Sequence, residues 1–381
     1  MLKILHIIPS LRKGGAERLV LNICSELQNR NGVKVKLLVL HPENEYEFLS
    51  KNVDVEFCNS TVVPSISGRS SVDISDFEKI IEDFKPDIIH SHLFESEIVS
   101  HWHIYKDVKY ITHCHSNMKQ FRRFNYKTIL NKKLLTNYYE KKRLIIQYKK
   151  CDNIFIAISK DTENYIKKSL PRQLKKNVLL LNNAINYDKF KYTKEDVYFS
   201  GIRIINLITI GSLIELKNHL FLVDVMNILN KKGIGKYNLT IIGEGPMRSA
   251  IENKIIEQQI QSKVSLKGLI NNVEDYLKKA DLYIYSCTKE GFGLTLIEAM
   301  AAGLPVICLD GKGNRDIIEQ GNNGFMIFEQ NPELFAQKII EVMENRQLYF
   351  EMSRYASEFA KKYNIRAYVD KLLDIYRNED L

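Results

Sequence analysis

The sequence that decides the fold is Glu290-Gly-Phe-Gly-Leu-Thr-Leu-Ile-Glu298, which continues as Ala-Met-Ala-Ala-Gly303-Leu-Pro305. It follows a predicted strand and opens a helix predicted over 295–302, and a glycine and a proline at 303 and 305 are typical of a helix end. The glycines at 291 and 293 let the backbone approach a ligand closely. Because the start of a helix offers free N–H groups and a positive dipole, this turn favours an anionic phosphate.

Two carboxylates bracket this predicted phosphate site. Glu290 lies before the glycine loop and Glu298 lies just inside the helix, so one can reach a sugar and the other a ribose. The spacing alone is explained equally well by a simple glycine turn with two solvated acids.

On either side of this stretch, short β-branched runs alternate with longer amphipathic segments, which indicates parallel strands joined by crossover helices. The later series predicts strands at 204–210, 238–242, 263–267, 282–285 and 304–308, with helices at 219–231, 247–259 and 295–302. The earlier series predicts strands at 3–8, 34–40, 87–91, 109–113, 153–158 and 178–181, with helices at 16–29 and 76–84. From 332 onward the sequence predicts helix.

Two series of this kind predict an α/β protein of two Rossmann-like, doubly wound domains. The length of 381 residues agrees, since a domain commonly takes about 150. We expect domains at 1–190 and 191–360, joined through the polar passage 183–201, and a C-terminal helix at 361–381 that packs back on the first domain. Two such domains would face each other across a cleft, with ligands at the carboxyl ends of the strands.

Three further turns carry candidate binding residues. Gly14-Gly15 begins the first predicted helix and suits a pyrophosphate, although a plain turn is the simpler interpretation of an isolated glycine pair. Lys217, in the loop after the strand at 204–210, can neutralise a leaving diphosphate, although most lysines in such loops are only solvated. The segment Gly243-Glu-Gly245-Pro-Met-Arg248 looks like the start of a dinucleotide fingerprint, but an arginine stands where the third glycine belongs, so a nicotinamide site is disfavoured.

Six of the nine histidines are clustered between 90 and 115, at His90, His92, His101, His103, His113 and His115. Such His-x-His pairs can bind zinc or iron. Residues i and i+2 of a strand share a face, however, so the pattern is also explained by two histidine pairs at strand ends. The sequence contains no Asp-x-Asp pair for a catalytic divalent ion, and we assign no metal site.

The positive charge is concentrated in one segment. The chain has 55 Lys and Arg against 46 Asp and Glu, a net charge of 55 − 46 = +9, and residues 119–150 contain eleven cations against the single acid Glu140. Aromatic residues lie between these cations, which suits either an anionic membrane surface or a solvated helical hairpin. Without a recognised nucleic-acid module, nucleic-acid binding is not expected.

Two further features of the sequence bear on the location of the protein. No apolar run is long enough for a membrane span or a signal peptide, and the six scattered cysteines suit a reducing compartment. We therefore expect a cytoplasmic protein, and we expect any association with the membrane to be peripheral.

In their order and spacing these motifs resemble the retaining GT-B glycosyltransferases of family 4, the glycosyl transferases group 1. Further segments carry the resemblance, namely Pro86–His92, Ile111–Asn117, Ala157–Lys160, Asn182–Phe190, Lys267–Gly268, Gly321–Phe325 and the GSLIELKN run at 211–218. Many relatives have Arg where this chain has Ser212, which leaves more of the diphosphate binding to Lys217.

The resemblance implies a role for each candidate residue. Gly14, Gly15 and the backbone amides of Gly291, Phe292, Gly293 and Leu294 would hold the donor diphosphate. Lys217 would offset its charge, Glu298 would bind the ribose and Glu290 the donor sugar. His115 would lie near the reacting face of that sugar, and the backbone of Leu269 would contact the base.

The resemblance further implies a retaining transfer of a sugar from a nucleoside diphosphate to a glycan or lipid-linked acceptor, with no metal and no cofactor besides the donor. The first domain would bind the acceptor and the second the nucleotide sugar, and cell-surface polysaccharide synthesis is the expected setting. Two alternatives are a nicotinamide-dependent oxidoreductase and a non-catalytic nucleotide- or carbohydrate-binding protein with the same fold.

Overall fold

The computed structural model describes residues 1–64, 70–122, 131–194, 204–232 and 237–378. The chain forms two compact units. Unit 1 comprises Met1–Ala184 and the chain from Ile365 onward, and unit 2 comprises Ile185–Asn364. The sequence predicts the corresponding boundaries at 190 and 360. Residues 195–201 of the predicted linker lie outside the described residues.

The main sheet of unit 1 is parallel, with seven strands among the described residues. These strands are β1 (Leu2–Ile8), β2 (Val33–Val39), β3 (Val55–Phe57), β6 (Ile88–His92), β7 (Lys109–Cys114), β8 (Asn153–Ala157) and β9 (Val178–Leu180), and a separate antiparallel pair is formed by β4 (Thr61–Val63) and β5 (Ser71–Asp73). The sheet order β3-β2-β1-β6-β7-β8-β9 reverses direction between β1 and β6. This reversal is the switch point of a doubly wound fold, where ligands commonly bind.

Helices cover both faces of this sheet, so its central strands are buried, as expected of a parallel sheet. The helices are α1 (Gly15–Gln28), α2 (Glu47–Ser50), α3 (Ser75–Phe84), α4 (Leu93–Ser100), α5 (Lys132–Tyr148) and α6 (Lys160–Ser169), joined by α14 (Ile365–Arg377) from the end of the chain. Leu372 of α14 is fully buried in the same apolar cluster as Val20 of α1 and Ile4 of β1. The last carbonyls of α14 accept hydrogen bonds from Lys109 Nζ, where a cation also complements the helix dipole.

Unit 2 contains a second parallel sheet, with six strands among its described residues. They are β10 (Ile205–Ile210), β11 (Tyr237–Ile242), β12 (Val264–Leu266), β13 (Leu282–Tyr285), β14 (Val306–Leu309) and β15 (Gly324–Ile327). Their order, β12-β11-β10-β13-β14-β15, is that of a Rossmann fold, with the switch point between β10 and β13. The predicted fold class of two doubly wound α/β units is confirmed.

The helices of unit 2 are α7 (Tyr187–Phe190), α8 (His219–Lys231), α9 (Arg248–Glu257), α10 (Val273–Lys279), α11 (Leu294–Ala301), α12 (Pro332–Glu344) and α13 (Arg346–Ala360). Gly303 terminates helix α11, as predicted. Gly303 N donates to Met300 O at 2.9 Å and Leu304 N to Ala299 O at 3.0 Å, the two bonds of a Schellman cap.

The basic segment 119–150 belongs to unit 1, and its residues 123–130 lie outside the described residues. Asn131 caps the start of helix α5, where its side chain accepts a hydrogen bond from Leu134 N. Some of its cations are engaged: Arg143 stacks on the Trp102 ring, and Lys141 donates to Phe121 O. Others are exposed, namely Lys119, Arg122, Lys132, Lys133, Lys142, Lys149 and Lys150. Within the described ranges, no helix is both long and apolar enough to cross a membrane.

Candidate functional site

The switch point of unit 2 brings together the loops that carry Lys217 and Glu290. Lys217 ends a short 3-10 turn after β10, and Glu290 follows β13, the neighbouring strand. The two loops are joined directly, since Ser286 Oγ donates to Lys217 O at 2.8 Å and Thr288 N donates to Leu216 O at 3.1 Å. The structure therefore brings Lys217 and Glu290 together within this unit.

Lys217, Glu290 and Tyr285 form a half-buried cluster. Lys217 Nζ lies 2.7 Å from Glu290 Oε2 and donates to Tyr285 Oη at 2.6 Å, and the Tyr285 hydroxyl donates to the same carboxylate oxygen. The lysine and glutamate side chains are only 22% and 14% exposed. A half-buried ion pair of this kind is held by its hydrogen bonds as much as by its charge.

The pKa values of the two charged groups move apart. Burial alone would lower the pKa of Lys217, but the Glu290 carboxylate raises it above its usual value. Burial alone would raise the pKa of Glu290, but the charge of Lys217, with hydrogen bonds from Lys217, Tyr285 and the Gly291 N–H, lowers it. Both groups therefore stay ionised at neutral pH.

The glycine loop after Glu290 leads into helix α11 as predicted. Gly291 N donates to Glu290 Oε1 at 3.0 Å, and Gly293 is the residue before the helix, with φ of 106°. A Cβ atom on Gly293 would lie 2.5 Å from Leu296 Cδ1, so any larger residue must adopt the left-handed conformation and also displace the Leu296 side chain. Phe292 is buried against Tyr363, which leaves its backbone for the predicted phosphate role. Leu294 is the first residue of α11, whose first N–H groups have no partners within the helix.

Glu298 lies inside α11 and is 1% exposed. Its carboxylate is close enough to Tyr283 to help burial raise the pKa of that phenol. The predicted contact with a ribose requires a ligand hydroxyl to reach this buried carboxylate, and it remains a prediction.

Leu269 is 50% exposed and follows Gly268, whose carbonyl accepts from Gly243 N at 2.9 Å. The glycines of the 243–248 segment serve this loop packing. A Cβ on Gly243 would lie 2.0 Å from Gly211 O, and one on Gly245 would lie 2.5 Å from Leu213 O. At these two glycines the absence of a side chain makes room for the neighbouring backbone. In a dinucleotide fingerprint the same absence makes room for a pyrophosphate.

In unit 1, Gly14-Gly15 lies at the start of helix α1 as predicted, but a carboxylate already lies there. The carboxylate of Glu17 interacts with its own backbone N–H, and a Cβ on Gly14 would lie 2.1 Å from Glu17 Oε2. Tyr46 Oη also contacts this turn, donating to Gly14 O at 2.8 Å. A diphosphate at this helix start would have to displace the carboxylate, so the role of Gly14-Gly15 stays a prediction.

His115 follows β7 and is the one partly exposed member of a group of five histidines, of which the other four are buried. The predicted pairing along the strands is confirmed, since the His90 and His92 rings stack 4.3 Å apart and the His113 and His115 rings 4.2 Å apart. His6 of β1 completes the group, because it is in register with His90 across the switch point of unit 1. His101 and His103 lie outside it: His101 bonds to Asn153, and His103 bonds to Glu78.

Burial keeps all five rings neutral. It lowers the pKa of His6 and His115 to about 3 and lowers the pKa of His90, His92 and His113 well below the usual value. The nitrogens of His6, His90 and His92, and those of His92, His113 and His115, lie within 4.8 Å of one another, so either triad could hold a metal ion. From the sequence alone, no such site is assigned.

The residue of the site that sequence reasoning missed is Tyr285. Its signal was its place at the end of a buried strand, directly before the Glu290 loop. Chemically, the cluster offers a cation, a carboxylate that can accept hydroxyl groups, and a helix start, which together suit an anionic ligand that carries hydroxyl groups.

Comparisons with known proteins agree on the class of protein. The family model "Glycosyltransferase Family 4" matches residues 13–189, and "Glycosyl transferases group 1" matches residues 205–378. An uncharacterised glycosyltransferase of Methanocaldococcus jannaschii is 28% identical over 211 residues, 55% of each chain. The N-acetylgalactosamine-N,N'-diacetylbacillosaminyl-diphospho-undecaprenol 4-alpha-N-acetylgalactosaminyltransferase of Campylobacter jejuni is 25% identical, over 62% of this chain and 61% of that protein. The matches thus span less than two thirds of these curated relatives.

A solved structure has a similar fold. HepE of Anabaena, crystallised with UDP and glucose, superposes with a TM-score of 0.79 over 99% of this chain and 100% of that one, at 16% identity. At this identity the similarity concerns the fold alone.

Proposed function

The chain belongs to family 4 of the glycosyltransferases, with the GT-B fold, and from this we propose that it transfers a sugar from a nucleoside diphosphate sugar to a glycan or lipid-linked acceptor. We propose further that the transfer retains the anomeric configuration, needs no metal ion, and serves the synthesis of a cell-surface polysaccharide.

The cluster of Lys217, Glu290 and Tyr285 beside the start of α11 is the observation that carries this proposal. A retaining displacement through an oxocarbenium-like state needs the charge of the leaving diphosphate held in place. Lys217 and the first N–H groups of α11 supply that charge and those donors from the protein itself, which supports a metal-free mechanism.

Lys217 and Glu290 would change partners when the donor binds. In the structure they neutralise each other at 2.7 Å. An arriving diphosphate would compete for the ammonium group, while the sugar hydroxyls would donate to the carboxylate. Tyr285 contacts both groups and would keep them in place during this exchange.

Relatives guide the choice of donor and acceptor. HepE was crystallised with UDP and glucose, and the Campylobacter jejuni relative is named for transfer to a diphospho-undecaprenol-linked sugar. We propose a UDP-sugar donor and a lipid-linked or polymeric glycan acceptor. A cytoplasmic location, with the exposed cations of 119–150 at an anionic membrane surface, fits such an acceptor.

A panel of UDP-, GDP- and ADP-sugars tests the donor. Thermal shift and nucleotide release, each with and without EDTA, should show stabilisation by one nucleotide class and a rate that the chelator leaves unchanged. Loss of activity in EDTA that Mn²⁺ restores would contradict the metal-free mechanism. NMR of the first-formed product reports its anomeric configuration, and an inverted product would contradict retention.

The variant Lys217→Ala tests the site. Because it removes the cation from the leaving group, we expect kcat to fall by about 10²–10³, the scale of losing one preorganised transition-state donor. Lys254→Ala is the matched control, since Lys254 also forms a partly exposed ion pair in unit 2, with Asp224. Equal kcat in the two variants would refute the role of Lys217, provided that circular dichroism shows both folded.

A further inference from the structure

Hydrogen bonds join six side chains of unit 1, five of them buried and one partly exposed, into one continuous series, which we call the histidine chain. Its members, in order, are His115, His92, His6, Tyr376, His90 and His113. The successive links are His115 Nε2 to His92 Nδ1 at 2.9 Å, His92 Nε2 to His6 Nδ1 at 2.8 Å, His6 Nε2 to Tyr376 Oη at 3.3 Å, Tyr376 Oη to His90 Nδ1 at 2.6 Å, and His90 Nε2 to His113 Nδ1 at 3.2 Å. Its two ends, His115 Nδ1 and His113 Nε2, are buried and have no hydrogen-bond partner among the described residues.

The pattern of links restricts where the protons lie. A neutral imidazole has one N–H donor and one acceptor nitrogen, and a tyrosine hydroxyl can accept one hydrogen bond and donate another. Every link between two rings joins an Nδ1 to an Nε2. A ring that donates through Nε2 therefore forces the next ring to accept at Nδ1 and to donate through its own Nε2. All five histidines must carry their proton on the same kind of nitrogen.

We propose that the histidine chain holds all five rings as the Nε2–H tautomer, so that His115 presents the lone pair of Nδ1 to a hydroxyl group of a bound sugar. His115 would contact the ligand, while His92, His6, Tyr376, His90 and His113 act through it as positioning residues. The inference rests on the proposed function, since an enzyme that transfers a sugar supplies the hydroxyl group that His115 would bind.

Two observations favour this direction over the reverse one. The Nε2–H form is the more populated tautomer of a neutral histidine side chain in water. Because the five rings must share one tautomer, their free-energy preferences for the Nε2–H form add up. At the far end, the Nε2–H of His113 has a potential acceptor in Asn183 Oδ1, a buried oxygen with no partner of its own among the described residues. Burial lowers the pKa of His113, and an interaction with the Asn183 side chain opposes this, as an oxygen facing an N–H would.

The ring geometry argues against a metal ion as the occupant. His113 and His115 stack 4.2 Å apart with only 14° between their planes, so their in-plane lone pairs run parallel and do not converge on one point. Eight of the ten ring nitrogens already take part in the links of the chain. A metal ion would have to turn rings and replace links that are in place.

The deciding experiment is nitrogen NMR of the full chain labelled with ¹⁵N-histidine, assigned by single histidine substitutions. We expect His6, His90, His92, His113 and His115 to be neutral near pH 7, each with a protonated Nε2 and an unprotonated Nδ1. A protonated Nδ1 in any of the five would overturn the proposal. So would tight binding of one added Zn²⁺ per chain that shifts these five signals and is lost in His92→Ala.

Tyr376→Phe interrupts the chain at its centre with little change of volume, and Tyr368→Phe is its matched control. Both tyrosines lie buried on α14, but the Tyr368 hydroxyl has no hydrogen-bond partner among the described residues. We expect Tyr376→Phe to give His115 a mixture of tautomers and a roughly two- to tenfold loss of kcat/KM for the donor, the scale of one hydrogen bond. Tyr368→Phe should leave both unchanged.

The two readouts separate this inference from the proposed function. If the folded Tyr376→Phe variant shows an unaltered His115 tautomer, the proposed role of the histidine chain is overturned, even if activity falls. Absence of transferase activity in the wild type would count against the proposed function alone, because the tautomers are read without substrate. If Tyr376→Phe does not fold, the wild-type spectrum still decides.

Discussion

Tyr285 is the residue that holds the side chains of Lys217 and Glu290 in position. Its hydroxyl contacts both charged groups, and its hydrogen bond is one cause of the lowered pKa of Glu290. Removing that hydroxyl leaves the ion pair with one donor fewer in a half-buried setting, where each hydrogen bond to a charged group contributes about 1.5–3 kcal/mol.

We therefore predict that Tyr285→Phe shifts the acid limb of the kcat/KM profile to higher pH. The depressed pKa of Glu290 means that its ionised form is present above that pKa and is lost as the pH falls through it. The variant raises this pKa, so activity should fail at a pH where the wild type still works, together with a roughly tenfold loss near neutrality. Rates of nucleotide release between about pH 4 and pH 7 report both effects.

Tyr355→Phe provides the control for this profile. Tyr355 also donates to a carboxylate of unit 2, that of Glu319, but on the exposed surface. Coinciding acid limbs in the two variants would show that Tyr285 does not tune Glu290.

The sequence predicted single residues best where local chain geometry decides their place. His90 and His92 share a strand face by alternation alone, and Glu290 follows a strand end. His6 and Tyr376 could not be predicted as their partners, because strand register and helix docking bring them together across 84 and 286 residues of the chain (90 − 6 and 376 − 90). The presence of Glu17 could be read from the sequence, but the side-chain rotamer that brings its carboxylate back to Gly14 could not be predicted.

At the level of elements, the buried central strands were predicted, whereas two of the four edge strands of the main sheets, β3 and β15, were missed. The runs that became β1, β7 and β13 are rich in apolar and β-branched residues that only a covered parallel sheet can bury. Strand β15 (Gly324–Ile327) begins with a glycine and is four residues long, so it has no detectable period. It forms because β14 offers it a parallel partner, which is tertiary information.

The start of α11 depends on Gly293. We predict that Gly293→Ala lowers the free energy of unfolding by more than about 1–2 kcal/mol, the cost of the left-handed conformation alone, because its Cβ would also meet Leu296. Nucleotide binding should weaken with it, since the first N–H groups of α11 would shift. Urea unfolding and thermal shift with UDP measure the two effects.

Gly321→Ala separates strain from collision in this prediction. Gly321 has φ of 79°, and a Cβ added there would have nothing within 4 Å, so only the backbone cost applies. Equal destabilisation and equal UDP binding in the two variants would remove the special role of Gly293.

Helix α14 gives unit 1 part of its core. Leu372 is fully buried in the cluster that contains β1 and α1, so Leu372→Ala should cost about 2–5 kcal/mol. Hydrogen exchange should become faster in β1 and α1, while unit 2 keeps its protection. The exposed neighbour Lys371 supplies the control, Lys371→Ala. Unchanged protection of β1 in the leucine variant would mean that α14 contributes little to that core.

Over the whole molecule, the basic character belongs to one surface segment of unit 1. The net charge of +9 is smaller than the eleven cations of residues 119–150, so the rest of the chain is close to neutral. Arg143 and Lys141 are less available to a membrane surface, because they contact Trp102 and Phe121 within the protein. Seven cations in the described part of the segment remain exposed, and cations at an anionic bilayer contribute about 1 kcal/mol each.

We predict that the triple variant Arg122→Gln, Lys132→Gln, Lys133→Gln binds anionic vesicles roughly a hundredfold more weakly than the wild type, since three charges account for about 3 kcal/mol. Sedimentation with equimolar phosphatidylglycerol and phosphatidylcholine at low salt measures this, and pure phosphatidylcholine should bind neither protein. The matched control is Arg172→Gln, Lys175→Gln, Lys176→Gln, which removes three exposed cations elsewhere on unit 1 and so lowers the net charge from +9 to +6 as well (9 − 3 = 6). If both triple variants lose the same affinity, net charge alone governs binding, and the basic segment is a solvated surface with no preferred contact to the membrane.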